Sequence, residues 1–291
     1  MYGQLIIMYL FLGGAAAGAL LVISACSLVA LKRPLASSNP VRVAEAFFML
    51  RRRVYVAGFA MLVFAMLCLL WDLGTPDRAL LIFLHPHATV LTFGAYTLAV
   101  EATLAAALAV IHSLKHARLP RTAVAICEAV CCVGGLAVMA YTGVFLLNGG
   151  IAFWNSWALV GLFVFSSISS GISTVLLIDW LTQGQTLLLR AAGPLQAMHL
   201  ASLAAETAFL TLFICDAFAN PGAKAACAAL TSPDMLAYAI VGIGGFGIAV
   251  PTFLEACTLA RRSSRTIPAA DAACLLGCLI LRYVIIACGI N

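Results

Sequence analysis

The chain has 291 residues, of which 64% are hydrophobic and 9% charged, and its formal net charge is +5. So little polar surface cannot clothe a water-soluble globule, and the apolar runs repeatedly exceed the length that a bilayer demands, so an integral membrane protein is expected. Leu, Ala and Gly fill those runs without period-two alternation, which excludes an outer-membrane barrel and leaves helices as the spanning element.

Eight spans are expected, at about 4–31, 54–73, 88–112, 122–147, 155–182, 193–219, 233–260 and 269–289, together making a single transmembrane domain over 1–291. The first span has no basic residues before it and outruns the apolar core of a secretion signal, so it reads as a retained span. Within it, YLFLGGAAAG (9–18) sets Gly14 and Gly18 one turn apart, a smooth strip where a helix or a flat ligand can reach the backbone. Span 2 closes in WDLGTP (71–76), which carries Asp72. Asp77, Arg78 and the apolar LLIFL (80–84) follow with His85 and His87, a segment expected to lie on the membrane surface or re-enter it.

Span 3 holds Glu101, and span 4 holds Glu128 before ending in YTGVFLLNGG (141–150). Span 5 opens at AFWNSW (152–157), carries the small polar run SSISSG (166–171), and reaches Asp179; span 6 contains His199 and Glu206. In span 7, GIGGFGIAVP (242–251) lies inside an apolar run with no strand before it, so it is not a dinucleotide loop. Its glycines and Pro251 instead predict a thin, bendable span with a freed carbonyl, just before Glu255. The last span, LILRYVIIACG (279–289), contains Arg282.

All but three of the 16 Lys and Arg residues fall in the connections after spans 1, 3, 5 and 7. The exceptions are Arg78, Lys224 and Arg282. By the positive-inside rule those connections face the cytoplasm and both termini face outward. The net charge is thereby a topology signal, and nucleic acid is not needed to explain it. Of 11 cysteines, most lie within spans without a CxxC pair. Cys127 with Cys131 and Cys274 with Cys278 share helix faces, where packing is the ordinary role and clamping an ion the alternative. A disulfide between Cys215 and Cys227, both near the outer face, is left open.

Depth follows from a rise of about 1.5 Å per residue. Arg282 then sits roughly 10 Å below the outer boundary, where an unpaired arginine costs at least ~2 to 3 kcal/mol. Asp72 is the first candidate partner by depth and Asp216 the second. The pair is either a structural lock or part of an outer-face pocket bordered by Tyr141, Asp72 and Arg282. Glu101 and Glu206 lie ~20 Å down, where an ionised carboxylate needs a partner, a proton or water. Glu128, Asp179 and Glu255 lie nearer the cytoplasm. Ordinary interfacial placement against arginines accounts for these three, and the five acids together would otherwise form a ladder for protons. The histidines are placed wrongly for a bis-histidine haem, since only His199 is well inside a span, where it reads as a hydrogen-bonded packing residue.

YLFLGGAAAG in the first span, DLGTP after the second, YTGV closing the fourth, FW before the fifth, SSISSG within it and LRYVIIACG in the last resemble the polysulfide reductase and nitrite reductase type membrane subunits, the NrfD/PsrC family. The resemblance runs over essentially the whole chain. It implies an all-α integral membrane subunit of eight transmembrane helices in two four-helix bundles, binding menaquinone or ubiquinone, with no haem or iron-sulfur cluster of its own. It further implies an iron-sulfur partner with several four-iron clusters on the outer, periplasmic face of a prokaryotic cytoplasmic membrane, linked to a molybdopterin catalytic subunit in anaerobic respiration. Carried over by motif, Tyr141 would hydrogen-bond a quinone carbonyl and Asp72 would exchange a proton near the head group. Many relatives read DLGRP, so Thr75 removes one expected cation that Arg78 would replace. Gly14 and Gly18 would make room for the flat ring or pack span 1 against the helices that do. Two other readings are an ion-coupled transporter using Glu101, Glu206 and the broken span 7, which calls for paired discontinuous helices, and an inert anchor.

Overall fold

A computed structural model of the chain describes residues 3–32, 40–72, 89–114, 120–183, 193–260 and 268–290. Among them there is helix and no strand, as lipid demands of a chain whose backbone groups must be satisfied within each segment. The spanning helices are α1 (Gln4–Lys32), α2 (Pro40–Asp72), α3 (Val90–Ser113), α4 (Arg121–Leu147), α5 (Trp157–Gln183), α6 (Gly193–Ala219), α7 (beginning at Pro233–Ala237 and ending in Val250–Ala260) and α8 (Pro268–Ile290). Eight of the described helices are long and apolar enough to cross a membrane. Thr75, Arg78, His85 and His87 lie outside the described residues.

Helix α2 starts well before the predicted span at 54. Arg51, Arg52 and Arg53 mark the end of an apolar run but not the end of the helix, which extends back to Pro40. A proline is tolerated in a helix's first turn, where its missing N–H would have no partner anyway. Short helical turns also fill two connections: Ala152–Trp154 before α5, and Lys224–Leu230 before α7. In the first, Trp154 is buried and its indole N–H donates to the Ile285 carbonyl at 3.0 Å, fixing the end of α8.

The predicted weak point of span 7 is a π-helical stretch, Tyr238–Ala249, between two α-helical segments. Pro251 supplies no N–H to a helical ladder, and the wider winding just before it accommodates that loss. There Gly247 lies against Gly277 of α8, and a Cβ on Gly247 would meet the Gly277 Cα at 3.3 Å. In a four-plus-four repeat the counterpart of α7 is α3, which is regular α-helix throughout. Among the described residues, then, the paired interruptions of a midplane transporter are missing.

Helix α1 packs on α2, α4 and α5, while α3 packs on α2 and α4. Helix α5 also packs on α6 and α8, and α8 packs on α7. The most buried helices are α1 and α5, and they meet where both are small. A Cβ added to Gly18 would run into the backbone of Ser167 and Gly171, and one added to Gly171 into the backbone of Gly18. Close backbone approach of this kind is how helices associate when lipid removes the hydrophobic drive. Outward-facing positions such as Val133, Phe253 and Ile240 are exposed and apolar, suited to lipid. All 11 cysteines are free; Cys215 is exposed, and Cys227 donates to the Ala217 carbonyl, so the two form no disulfide.

Candidate functional site

Most of the buried polar residues gather in two networks, one centred on α1 to α4 and the other on α5 to α8, with Asp179 and Arg282 reaching across between them. In the first, the half nearer the chain termini holds Tyr9 of α1 and Tyr141 of α4, both buried. The ring of Tyr141 occupies the space beside Gly94 of α3, where a Cβ would fall inside the ring, and it tilts against Phe145 at 6.0 Å. The two tyrosine hydroxyls face each other closely enough to interact, and Tyr9 Oη is buried with no well-formed hydrogen bond among the described residues. Asp72 closes α2 at the same end, half-buried, with Oδ1 2.9 Å from where a Cβ on Gly3 would lie.

Two turns deeper, Glu101 of α3 accepts a bond from the Cys131 thiol at 3.1 Å, and its other oxygen has no partner among the described residues. Toward the opposite end, Glu128 is fully buried and takes a short charge-assisted bond from Arg51. The Tyr55 hydroxyl lies 3.4 Å from the same oxygen, shares a bond with Ser24 at 2.9 Å, and its ring stacks on His112 at 5.4 Å. His112 Nε2 stands 2.9 Å from Arg51 Nη2, so a guanidinium, an imidazole and a phenol surround one carboxylate. Glu128 is thus backed by an arginine, and the pair ties α2 to α4. Asp179 of α5 has Arg53 of α2 as its electrostatic neighbour.

In the second group, Arg282 is fully buried, and its partners differ from the expected ones. Its Nε donates to the Leu10 carbonyl at 3.1 Å, Nη1 to the Cys278 carbonyl at 2.9 Å and to Ser166 Oγ at 3.2 Å, and Nη2 to Ser167 Oγ at 3.0 Å. Phe163 and Phe11 approach the guanidinium carbon at 5.4 and 6.0 Å. Neither Asp72 nor Asp216 takes part: Asp72 lies beside Gly3, and Asp216 accepts from Ser156 at 2.6 Å. Depth along a helix does not specify lateral position. A guanidinium with five donors is satisfied by neutral oxygens on several sides, and Glu206 of α6 is the acid in its electrostatic neighbourhood.

Gly14 and Gly18 belong to this arrangement. A Cβ on Gly14 would meet Ser167 Oγ and, at 2.9 Å, Arg282 Nη2, so the strip on α1 faces α5 and α8 rather than the space by Tyr141. The five predicted acids are likewise divided. Glu101 and Glu128 belong to the first group, Asp179 of α5 faces Arg53 of α2 between the two, and Glu206 and Glu255 belong to the second, where Glu255 bonds to His199 rather than to an arginine. Reading by residue type missed Tyr9, an aromatic within an apolar run, and Ser166 and Ser167, which counted only as small and polar.

The fold is that of a membrane protein with eight long apolar helices, buried tyrosines at one end and a guanidinium locked into its core. A family model described as polysulphide reductase, NrfD, matches residues 1–291, so the chain belongs to that family. Members are membrane subunits of molybdoenzyme and quinone oxidoreductase complexes, typically partnered with iron-sulfur and catalytic subunits. No curated protein matches the chain.

Proposed function

We propose that this chain is the quinone-reactive subunit of such a complex, exchanging electrons between the membrane quinone pool and an iron-sulfur subunit docked at the end that carries the termini, on the outer face of a prokaryotic cytoplasmic membrane. One observation carries this: the Tyr9 and Tyr141 hydroxyls are buried facing each other in the half nearest the termini, and Tyr9 Oη has no well-formed hydrogen bond among the described residues. A buried hydroxyl left unsatisfied costs about 1 to 3 kcal/mol, and a carbonyl-bearing ring lying between the phenols would relieve that cost. The residues fit a quinone: aromatic surface to lie against, two hydroxyls to point at carbonyl oxygens, and a carboxylate at the aqueous end.

When bound, the quinone supplies two-electron, two-proton redox chemistry. Tyr141 donates a hydrogen bond that sets the ring's position, and Tyr9 offers a second from the adjacent helix. Asp72, at the last turn of α2, takes up or gives protons at the aqueous edge. Arg282 acts from behind: by holding the Leu10 carbonyl it fixes the turn of α1 that presents Tyr9, which makes it a positioning residue. Gly14 and Gly18 permit that packing.

Quinol-linked turnover of the purified, assembled complex tests the reading. Tyr141→Phe and Asp72→Asn are each expected to lower it. Intact turnover in both, with the complex still assembled, would leave the chain an inert anchor.

A further inference from the structure

A line of buried groups in the second helix group lies apart from the tyrosine pair. On α8, Asp271, Cys274, Cys278 and Arg282 recur at intervals of three and four residues, so they share one face over ~16 Å. On α5, Ser166, Ser169 and Ser173 do the same opposite them, and all are buried. Between these faces stands His199 of α6, also fully buried. Its Nδ1 lies 2.5 Å from Glu255 Oε1 of α7, and its Nε2 lies 3.1 Å from Ser169 Oγ and 3.3 Å from Ser173 Oγ.

From Ser169 the chain of contacts continues to Cys274 Sγ at 3.1 Å, and the Cys274 thiol adjoins that of Cys278. Ser166 Oγ donates to Cys278 Sγ at 3.4 Å, and Glu206 has Ser166, Cys278 and Arg282 as its electrostatic neighbours, with Oε2 buried and lacking a hydrogen-bond partner among the described residues. At the other end, Gln196, Glu255, Thr258 and Asp271 line a small cavity of about 10 Å³, room for a single water. Gln196, Thr258 and Asp271 are each within a turn of a helix end, so this cavity sits at the end opposite the termini. Glu255 Oε2 and Asp271 Oδ1 are both buried there without a hydrogen-bond partner among the described residues.

We propose that Glu206 is a proton-loading site that exchanges with the aqueous phase at that opposite end, through a relay centred on His199. A proton reaching Glu255 from water in the cavity, directly or by way of Asp271, passes to His199 Nδ1 while the imidazole gives up its Nε2 proton to Ser169 Oγ. Each hydroxyl or thiol beyond accepts one proton on a lone pair and releases its own to the next, through Cys274, Cys278 and Ser166. The net change is one proton taken from water and one placed on the Glu206 carboxylate. The groups facing His199 are Glu255, Asp271, Cys274, Ser169 and Ser173; those facing Glu206 are Arg282, Cys278 and Ser166. The Arg282 guanidinium, always protonated, closes the line at the end toward the tyrosines and bars onward transfer.

The test is hydrogen–deuterium exchange of the Glu206 carboxyl in the assembled complex in lipid, without quinol, followed by infrared spectroscopy of its carbonyl stretch. The band is assigned by its loss in Glu206→Gln. Wild type is expected to exchange promptly, Ser169→Ala and Glu255→Gln about tenfold or more slowly, and Glu101→Gln, in the other group, at the wild-type rate. An exchange rate unchanged in both Ser169→Ala and Glu255→Gln, or no band lost in Glu206→Gln, would overturn the proposal. Because quinol is absent, this outcome is independent of whether Tyr141 binds a quinone.

Discussion

The two buried polar groups use similar residues to opposite ends. Among α1 to α4 the charge is concentrated: Glu128 is paired directly with Arg51 and hemmed in by Tyr55 and His112. Above it the polar residues thin out, with Glu101 holding one thiol and ~10 Å of α3 separating it from Gly94 beside Tyr141. Among α5 to α8 no direct ion pair involves Arg282 among the described residues; neutral oxygens hold it, and hydroxyls and thiols continue without a break from there to His199. An interrupted column isolates a lock from a ligand pocket, whereas a continuous one of groups that both donate and accept is built for exchange. Position along the membrane normal is alike in the two; continuity is what differs.

The largest effect is expected from breaking the second group at its head. Arg282→Leu strips the Leu10 and Cys278 carbonyls and two serine hydroxyls of their donor and leaves Glu206 without its neighbouring cation, a loss of about 3 to 5 kcal/mol, read as a lower melting temperature of the solubilised complex. Arg51→Met does the equivalent in the first group. Its side chain is partly exposed, so about 3 kcal/mol is expected by the same measurement. If Arg51→Met proved harmless, Glu128 would not carry the charge that the lock requires.

Smaller changes separate pocket from lock. Gly94→Ala drives a methyl into the Tyr141 ring and should weaken quinol-analogue binding by about 1 to 3 kcal/mol, whereas Gly244→Ala, whose nearest neighbour would be 3.8 Å away, should change nothing. The least effect on stability is expected of Tyr9→Phe. Its hydroxyl has no well-formed hydrogen bond to lose among the described residues, so the melting temperature should hold or rise while binding of the analogue falls.

Much of this was legible in the sequence. The eight spans follow from apolar length, and the depth of Arg282 already required partners for it. The glycine strip announced a close approach, which turned out to be the crossing of α1 over α5. Legibility failed where a linear coordinate had to stand for three dimensions. Asp72 and Arg282 match in depth, yet Arg282 is held through the Leu10 carbonyl and the serines of α5, while Asp72 lies beside Gly3. Arg51 marked a membrane boundary by charge, while the helix continues through it and turns that side chain inward. Asp271 and Tyr9 were passed over for the same reason: an acid one turn into a helix and an aromatic in an apolar run look ordinary until their neighbours are known. Ser169 becomes informative only once His199 is seen beside it.

The central claim is that Tyr9 and Tyr141 form a quinone site separate from the Glu206 line. It is tested most directly by titrating a fluorescent quinol analogue into the purified complex and following its quenching in wild type, Tyr141→Phe and Glu255→Gln. Saturable binding that is weakened about tenfold in Tyr141→Phe, the equivalent of one strong hydrogen bond, and unchanged in Glu255→Gln is the expected result. Equal binding in wild type and Tyr141→Phe, or none that saturates in an intact complex, would contradict it.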